Sequence, residues 1–368
     1  MSNMKIQIER DTFLEALNSA SRAVSTRAGT LPVLSGVQIV VGLNEMTITG
    51  SDLDITVRVN VMAHTQGEGS VVLSAKLISE IVRSLEAGTI SMEIKENLAI
   101  LTSNRSSFNL RTLNAEEYPK LNELKGESVT VKASEFADGL GQVIVAASKD
   151  EARPILCGVL LSATETGLRF VATDSYRLAM RDVEGLSMLK AGTNVLVPAK
   201  GLTEVQRLLS SSDVEVILGE REVSFSVDNT TITMRLIEGE YPNYEQLIPK
   251  GYPNRVTISS DIFADAIKRV RLVAQDRNSQ PVRLSIKTDG VELKQVAQEI
   301  GEASEFIDAK CEGDELEVAF NSEYLLDGLN ACGTDEVLIE TLDPLKPATL
   351  HGVDQEGYTY LLMPVRVN

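Results

Sequence analysis

The chain repeats itself. "SNMKIQIERDTFLEALNSASRAV" near the start, "ESVTVKASEFADGLGQVIVAA" from Glu127 and "NRVTISSDIFADAIKRVRLVA" from Asn254 each place an alternating strand before an amphipathic helix, anchored by Phe13, Phe136 or Phe263. The anchors lie 123 and 127 residues apart. Other landmarks keep the period. Asp52 and Asp174 are 122 apart, Lys76 and Lys200 are 124 apart, and Tyr118-Pro119 and Tyr241-Pro242 are 123 apart. The third copy has diverged most, yet "FNSEYLLDGL" (Phe320 to Leu329) stands where the others have "LSAKLISEIV" and "VPAKGLTEVQ". A period near 120 exceeds that of solenoid units and suits whole domains. The expected domains are 1–126, 127–252 and 253–368, with polar, Gly- or Pro-bearing junctions at "KLNELKGES" and "IPKGYPNR".

Within a copy the hydrophobic period switches. Phe136, Leu140, Val143, Ile144 and Ala147 fall on one face of a helix. "LRFVATDS" and "MTITGSDLDITVRVNV" alternate like strands, and "SDVEVILGEREVSFSVDNTTITMRLI" reads as three strands joined by two turns. A second helix follows "VPAKGL". The expected fold class is α+β, three repeated domains each with two helices and antiparallel sheets.

No run of 18 apolar residues offers a membrane span, and "MSNMKIQIER" is too charged for a secretory signal. Cys157, Cys311 and Cys332 follow no spacing pattern, which fits a reducing cytoplasm. His64 and His351 stand apart from each other and from cysteine, so neither a metal site nor a cofactor is expected. The net charge of −18 argues against nucleic acid if read as a whole, but says nothing of where the bases lie. Acids outnumber bases 14 to 12, 18 to 12 and 21 to 11 in the three copies. Several bases nonetheless fall on or beside expected helices in every copy: Arg22, Arg27, Lys76, Arg83, Lys149, Lys200, Arg207, Lys268, Arg269 and Arg271. Lys268 and Arg271 share an exposed helix face three residues apart. Ordinary solvated helix surface explains any one of them; the recurrence in all three copies favours a shared basic surface.

The densest chemistry lies in "VATDSYRLAM" (Val171 to Met180), where hydroxyls, a carboxylate, a phenol and a guanidinium interrupt an apolar strand. A Ser175 or Tyr176 nucleophile lacks a nearby base, and neither G-x-S-x-G nor a glycine-rich phosphate loop occurs. "SDLD" sets Asp52 and Asp54 two residues apart, on one side if they lie on a strand. They could serve as a metal or acid–base pair, or as solvated acids at a strand end. The second copy keeps Asp174 but has Tyr176 in place of the other acid, which favours architecture. A metal-dependent nuclease or hydrolase using Asp52, Asp54 or the Asp174–Arg177 loop remains the alternative from another class.

"TLPVLSGV", "ATDSYRLA", "VPAKGL", "EGEYPNYEQLIP" and "YLLMPVR", in this order and spacing, resemble the bacterial sliding clamp family, the β subunits of DNA polymerase III. The resemblance covers the whole chain. It implies a non-catalytic processivity factor: a head-to-tail homodimeric ring of six similar domains around double-stranded DNA, held without regard to sequence and tethering the replicative polymerase. It implies further partners: the clamp loader, repair polymerases, ligase and mismatch-repair proteins. Arg27, Lys76, Lys149, Lys200 and Lys268 would face DNA. Phe108 and Leu110 would meet Leu272 and Val273 of the other protomer. A partner-peptide groove would use Leu156, Thr173, Ser175, Tyr176, Arg177, Leu178, Pro242, Leu247, Leu361, Met363, Pro364, Val365 and Arg366. Apolar residues would form its pockets, with arginine and hydroxyls at the edge. The blander reading of Met363 and Pro364 is the end of a buried strand. Tyr176 stands where some clamps carry His and Gln246 where some carry Arg, so peptide preference is expected to differ. Met4 matches the usual family start, leaving Met1 to Asn3 as an extension.

Overall fold

The computed structural model describes residues 4–25, 31–209, 212–249, 251–274 and 280–366. Arg27, Met1–Asn3, Val367 and Asn368 lie outside the described residues. Among the described residues six α-helices recur, two per copy: α1 Arg10–Ser21, α2 Ala75–Ser84, α3 Ala133–Val143, α4 Ala199–Leu208, α5 Ser260–Val270 and α6 Ser322–Cys332. The apolar stripes read from sequence are the buried faces. Phe13, Ala16, Leu17 and Ala20 are buried on α1, and Phe263, Ala266, Ile267 and Val270 on α5. On α3, Phe136 packs edge-on against Phe170 at 5.6 Å. The α-helix stops at Val143 and one 3₁₀ turn, Ile144–Ala146, finishes the stripe. The Asn321 side chain caps α6 by accepting from the Glu323 and Tyr324 N–H groups, and Gly333 ends it in the left-handed region at φ 64°.

The chain divides into two compact units, Met1–Ala133 with Arg207–Leu236, and Ser134–Gln206 with Ile237–Asn368. The first contains a five-stranded sheet, His64–Gln66, Met4–Glu9, Thr89–Lys95, Leu98–Ser103 and Ser106–Arg111 in spatial order. Its second sheet runs Ser128–Val131, Val214–Leu218, Glu222–Val227, Thr230–Arg235, Ile55–Met62, Glu45–Ser51, Gly36–Val41 and Gly69–Ser74. The other unit contains a nine-stranded sheet, Asn194–Pro198, Gly158–Ala163, Gly167–Thr173, Arg177–Glu184, Tyr358–Leu362, Ala348–Gly352, Glu336–Thr341, Asn254–Ser259 and Lys310–Glu312. Its smaller sheet runs Gly301–Asp308, Gly290–Ala297, Pro281–Lys287 and Leu316–Asn321.

Strands of one sequence copy continue the sheet of the next. Thr230–Arg235 pairs antiparallel with Ile55–Met62, placing Ile232 opposite Val57. Arg177–Glu184 pairs with Tyr358–Leu362, placing Leu178 opposite Leu361. The middle copy therefore gives strands to both units, because extending a sheet satisfies edge N–H and C=O groups that would otherwise stay unpaired. Among the described residues each of the four sheets is open, and their edge strands include Ser106–Arg111 in the first unit and Gly301–Asp308 in the second.

Candidate partner-binding site

The strand Gly167–Thr173 reverses into Arg177–Glu184 through a turn held by its own short polar side chains. Thr173 Oγ1 donates to the Arg177 carbonyl at 2.6 Å and accepts from the Ser175 N–H at 3.1 Å. Asp174 Oδ1 accepts from the Tyr176 and Arg177 N–H groups at 2.9 and 3.0 Å. The turn forces Ser175 to a φ of 82°. Tyr176 projects outward, 58% exposed.

Arg177 does not sit at the edge, as the sequence reading had it. The residue is 6% exposed. Its Nε donates to Asp174 Oδ2 at 3.1 Å, and Nη1 donates to Asp327 Oδ2 at 2.6 Å and to Tyr360 Oη at 3.2 Å. The guanidinium lies 4.3 Å from the Tyr324 ring centroid. A buried cation needs this density of partners. The arginine at the surface of the turn is Arg153, absent from the sequence reading: its Nη1 donates to Ser175 Oγ at 3.3 Å and its Nε to Asp150 Oδ2 at 2.9 Å.

Beside this turn, one face of the nine-stranded sheet is apolar. Leu160, Val171, Leu178, Leu196, Tyr244 and Leu361 form a buried cluster, and Ile155, Met180, Ile237, Tyr241 and Ile248 pack on it while staying partly exposed. The cross-strand pairs Leu160–Val171, Val171–Met180 and Leu178–Leu361 build the floor. The segment from Ile237 to Ile248 lies over it as a strap, with the Tyr241 and Tyr244 rings edge-on at 6.5 Å. Arg169 fixes the strap from below. Its Nε and Nη2 donate to Asp182 at 2.6 and 2.8 Å, and Nη1 to Glu245 Oε1 at 3.4 Å. Pro242 and Leu247 are exposed on the strap.

The strand Tyr358–Leu362 ends before Met363, so the tail does not simply close a strand. The Met363 N–H donates to the Tyr176 carbonyl at 2.9 Å and the Val365 N–H to the Ala319 carbonyl at 2.8 Å. Met363, Val365 and Arg366 are exposed and Pro364 is half-buried. The structure thus brings Thr173, Ser175, Tyr176, Leu178, Leu361 and Met363 together, with Pro242 and Leu247 on the adjoining strap. Leu156 is buried, but its neighbour Ile155 is the residue that packs on the cluster. Exposed Leu345 sits on the turn leading to Ala348, which pairs with Leu362 beside Met363. Leu178 belonged to the expected groove, whereas Val171 and Met180, cross-strand partners beside it, are floor residues that the apolar pattern offered and that were not assigned.

In the first unit Ser51–Ile55 makes the same turn. Leu53 has a φ of 79°, its N–H donates to Ser51 Oγ at 3.1 Å, and Asp52 Oδ1 accepts from the Asp54 and Ile55 N–H groups at 3.2 and 2.8 Å. Asp52 and Asp54 are turn residues rather than neighbours on a strand face, which removes the geometric basis for pairing them. Among the described residues no group of three or more His, Cys, Asp or Glu is placed to hold a metal. The nuclease or hydrolase alternative finds no support. No described helix is long and apolar enough to cross a membrane.

Lys76 and Lys200 are exposed at the same place, the second residue of α2 and of α4. Lys149 is exposed just beyond the 3₁₀ turn that follows α3. Lys268 is exposed on α5, but its Nζ lies 3.0 Å from Asp265 Oδ1. Phe108, half-buried, and Leu110, 8% exposed, lie on the edge strand Ser106–Arg111. Leu272 is 58% exposed on the turn after α5, next to half-buried Val273.

Three domain families match in chain order: the DNA polymerase III beta subunit N-terminal domain over residues 4–122, the central domain over 130–243 and the C-terminal domain over 245–366. The beta sliding clamps of Staphylococcus epidermidis and Staphylococcus aureus are 33% identical to the chain, covering 99% of each sequence. The DNA polymerase sliding clamp of Bacillus subtilis superposes with a TM-score of 0.91 at 31% identity over all of both chains. The DNA polymerase III beta subunit of Thermotoga maritima does so at 0.90 with 26% identity, covering 99% of this chain and 100% of its own. With all three domains matched in order along nearly its whole length, the chain belongs to the DNA polymerase III beta subunit family, the bacterial sliding clamps.

Proposed function

We propose that two copies of the chain close head to tail into a ring around double-stranded DNA and act as a non-catalytic processivity factor for the replicative polymerase. The observation that carries this is that two of the sheet edges, Ser106–Arg111 and Gly301–Asp308, are unlike, with exposed Leu272 near the second. Two different edges on one chain suit a heterologous contact, in which the first edge of one protomer meets the second edge of the other. Phe108 and Leu110 then face Leu272 and Val273, and the sequence copies 1–126, 127–252 and 253–368 supply six domains. Lys76, Lys149, Lys200 and Lys268, with Arg27, would contact phosphates, which gives salt-dependent, sequence-independent holding compatible with sliding. The chain has no Trp to stack on bases. A ring keeps its cargo near DNA at high effective concentration without tight contacts.

In this reading the apolar floor, the strap and the Met363–Arg366 tail receive a short peptide with two or three large apolar side chains. Half-buried Met180 and exposed Met363 suit several partners, because an unbranched thioether repacks. Those partners are the replicative polymerase, the clamp loader, repair polymerases, ligase and mismatch-repair proteins, in the cytoplasm. The test combines solution mass with retention on DNA. A dimer that stays on closed circular DNA and slips from linear ends supports the ring; a monomer, or equal retention on both, overturns it.

A further inference from the structure

The apolar floor has a register counterpart in the first unit. Leu160 opposite Val171 corresponds to Gln38 opposite Thr49, Val171 opposite Met180 to Thr49 opposite Arg58, and Leu178 opposite Leu361 to Thr56 opposite Thr233. The flanking contact recurs too: the Met363 N–H donates to the Tyr176 carbonyl, and the Arg235 N–H to the Asp54 carbonyl. Tyr118 and Leu121 occupy the strap positions of Tyr241 and Tyr244. Backbone and strap are therefore duplicated, while the floor is apolar in one copy and polar in the other.

The floors are largely buried in both copies, and the copies differ at the rim where floor meets strap. In the first unit Arg58 is 9% exposed, its Nη2 donates to the Leu121 carbonyl, and Tyr118 is buried with its Oη donating to the Thr49 carbonyl at 3.3 Å. Val33, Leu34 and Val72 close on Tyr118, with Leu121 packed against them. In the second unit Met180 and Tyr241 are both only half-buried. The methionine side chain has no N–H to offer the strap, and the Tyr244 carbonyl accepts from the Leu247 N–H at 3.0 Å instead.

Resting on the peptide reading above, we propose that this one register position, Met180 in the second unit and Arg58 in the first, decides which copy admits an apolar peptide. Arginine clasps the strap carbonyl and shuts the site. Methionine keeps the floor apolar and leaves its rim, at Met180 and Tyr241, partly exposed. The chain then takes one such peptide, in the second unit, although it carries the backbone of the site twice.

The probe is a labelled peptide of the C-terminal residues of the replicative polymerase subunit from the same source. Met180→Arg is expected to weaken its binding by at least about tenfold, with solution mass unchanged. Leu43→Arg, which places the same charge on a turn residue 79% exposed in the first unit, keeps wild-type affinity. In a second arm, Arg58→Met speeds amide exchange on the Tyr118–Leu121 strap and leaves Tyr244–Ile248 unchanged. Peptide affinity of Met180→Arg within about twofold of wild type overturns the proposal, as does unaltered exchange in Arg58→Met. If Met180→Arg loses cooperative unfolding, the exchange arm decides. If wild type takes up no peptide, the peptide reading falls, and the exchange arm still tests the clasp.

Discussion

The Arg177 guanidinium lies 2.6 Å from the Asp327 carboxylate, joining the Thr173–Arg177 turn to α6 across 150 residues of chain. Burial opposes its charge, but Tyr360, Asp327 and Asp174 outweigh that effect and hold it protonated. Removing the guanidinium leaves the Asp174 carboxylate buried without an opposite charge. Arg177→Ala is expected to cost about 3 kcal/mol in urea unfolding. Asp327→Asn should cost less, because its side chain is 33% exposed and water screens the loss. An Arg177→Ala protein as stable as wild type would show that the guanidinium is not a strut.

The inward turn of Arg177 marks the limit of what the sequence could convey. Helix faces were legible because their signal is local: Phe263, Ala266, Ile267 and Val270 recur at helical spacing and are all buried. The turns at Asp52 and Asp174 were legible as matching landmarks, and their shared geometry follows from identical hydrogen-bonding roles. The partners of Arg177 were not legible, since Tyr324, Asp327 and Tyr360 reach it only through a strand pairing made far along the chain. The same holds for Arg58, whose burial depends on a strap carbonyl supplied by Leu121. Local pattern tells which residues face a core. It does not tell which distant strand supplies the other half of a site.

Cys332 gives a pH signature. Burial pushes its thiol up from 9.0 to about 12. Between those values the unfolded chain gives up a proton that the folded chain keeps, so stability falls as pH rises from about 9 toward 12. The slope is at most about 1.4 kcal/mol per pH unit for one group. Buried Tyr358 and Tyr360, also raised by burial, act in the same direction once the unfolded phenols begin to titrate above 10.0. Urea unfolding from pH 8 to 10.5 should fall less steeply in Cys332→Ala than in wild type, and parallel slopes would remove the thiol from the account.

The four lysines should not contribute equally to DNA retention. Lys268 shares its charge with Asp265 at 3.0 Å, whereas Lys76 and Lys149 have no acid so close among the described contacts. Lys76→Glu combined with Lys149→Glu is expected to weaken retention strongly and to flatten its dependence on salt, with unfolding unchanged. Lys268→Glu should weaken it less. Retention assays across a salt series on several DNA sequences check both the ranking and the indifference to sequence.

Interface energy should come from Leu272 more than from Leu110. Leu110 is already buried inside its own unit, so pairing adds little to it, while Leu272 exposes apolar surface that pairing can cover. Leu272→Ala with Val273→Ala is expected to remove about 2–3 kcal/mol per interface and shift the protein toward monomer at low concentration. Sedimentation at nanomolar concentration measures this directly, and an unchanged dissociation constant would move the interface elsewhere.

The tail after Leu362 offers the sharpest division between folding and binding. Its described contacts are few: the Met363 N–H on the Tyr176 carbonyl and the Val365 N–H on the Ala319 carbonyl, at the rim of the turn and at a sheet edge. Leu361, by contrast, is buried in the floor opposite Leu178. Truncation before Met363 therefore spares the floor and removes one wall. Dimer mass and the main unfolding transition should stay close to wild type, with about 1 kcal/mol lost for each hydrogen bond. Affinity for the polymerase-derived peptide should fall by at least about tenfold, because a few desolvated contacts dominate such binding and Met363 is the large apolar side chain beside Tyr176. Truncation before Leu361 should instead damage folding, since it opens the cross-strand pair. A peptide titration of both truncations against wild type separates the cases. Wild-type affinity in the shorter truncation would place the binding energy on the strap and floor alone.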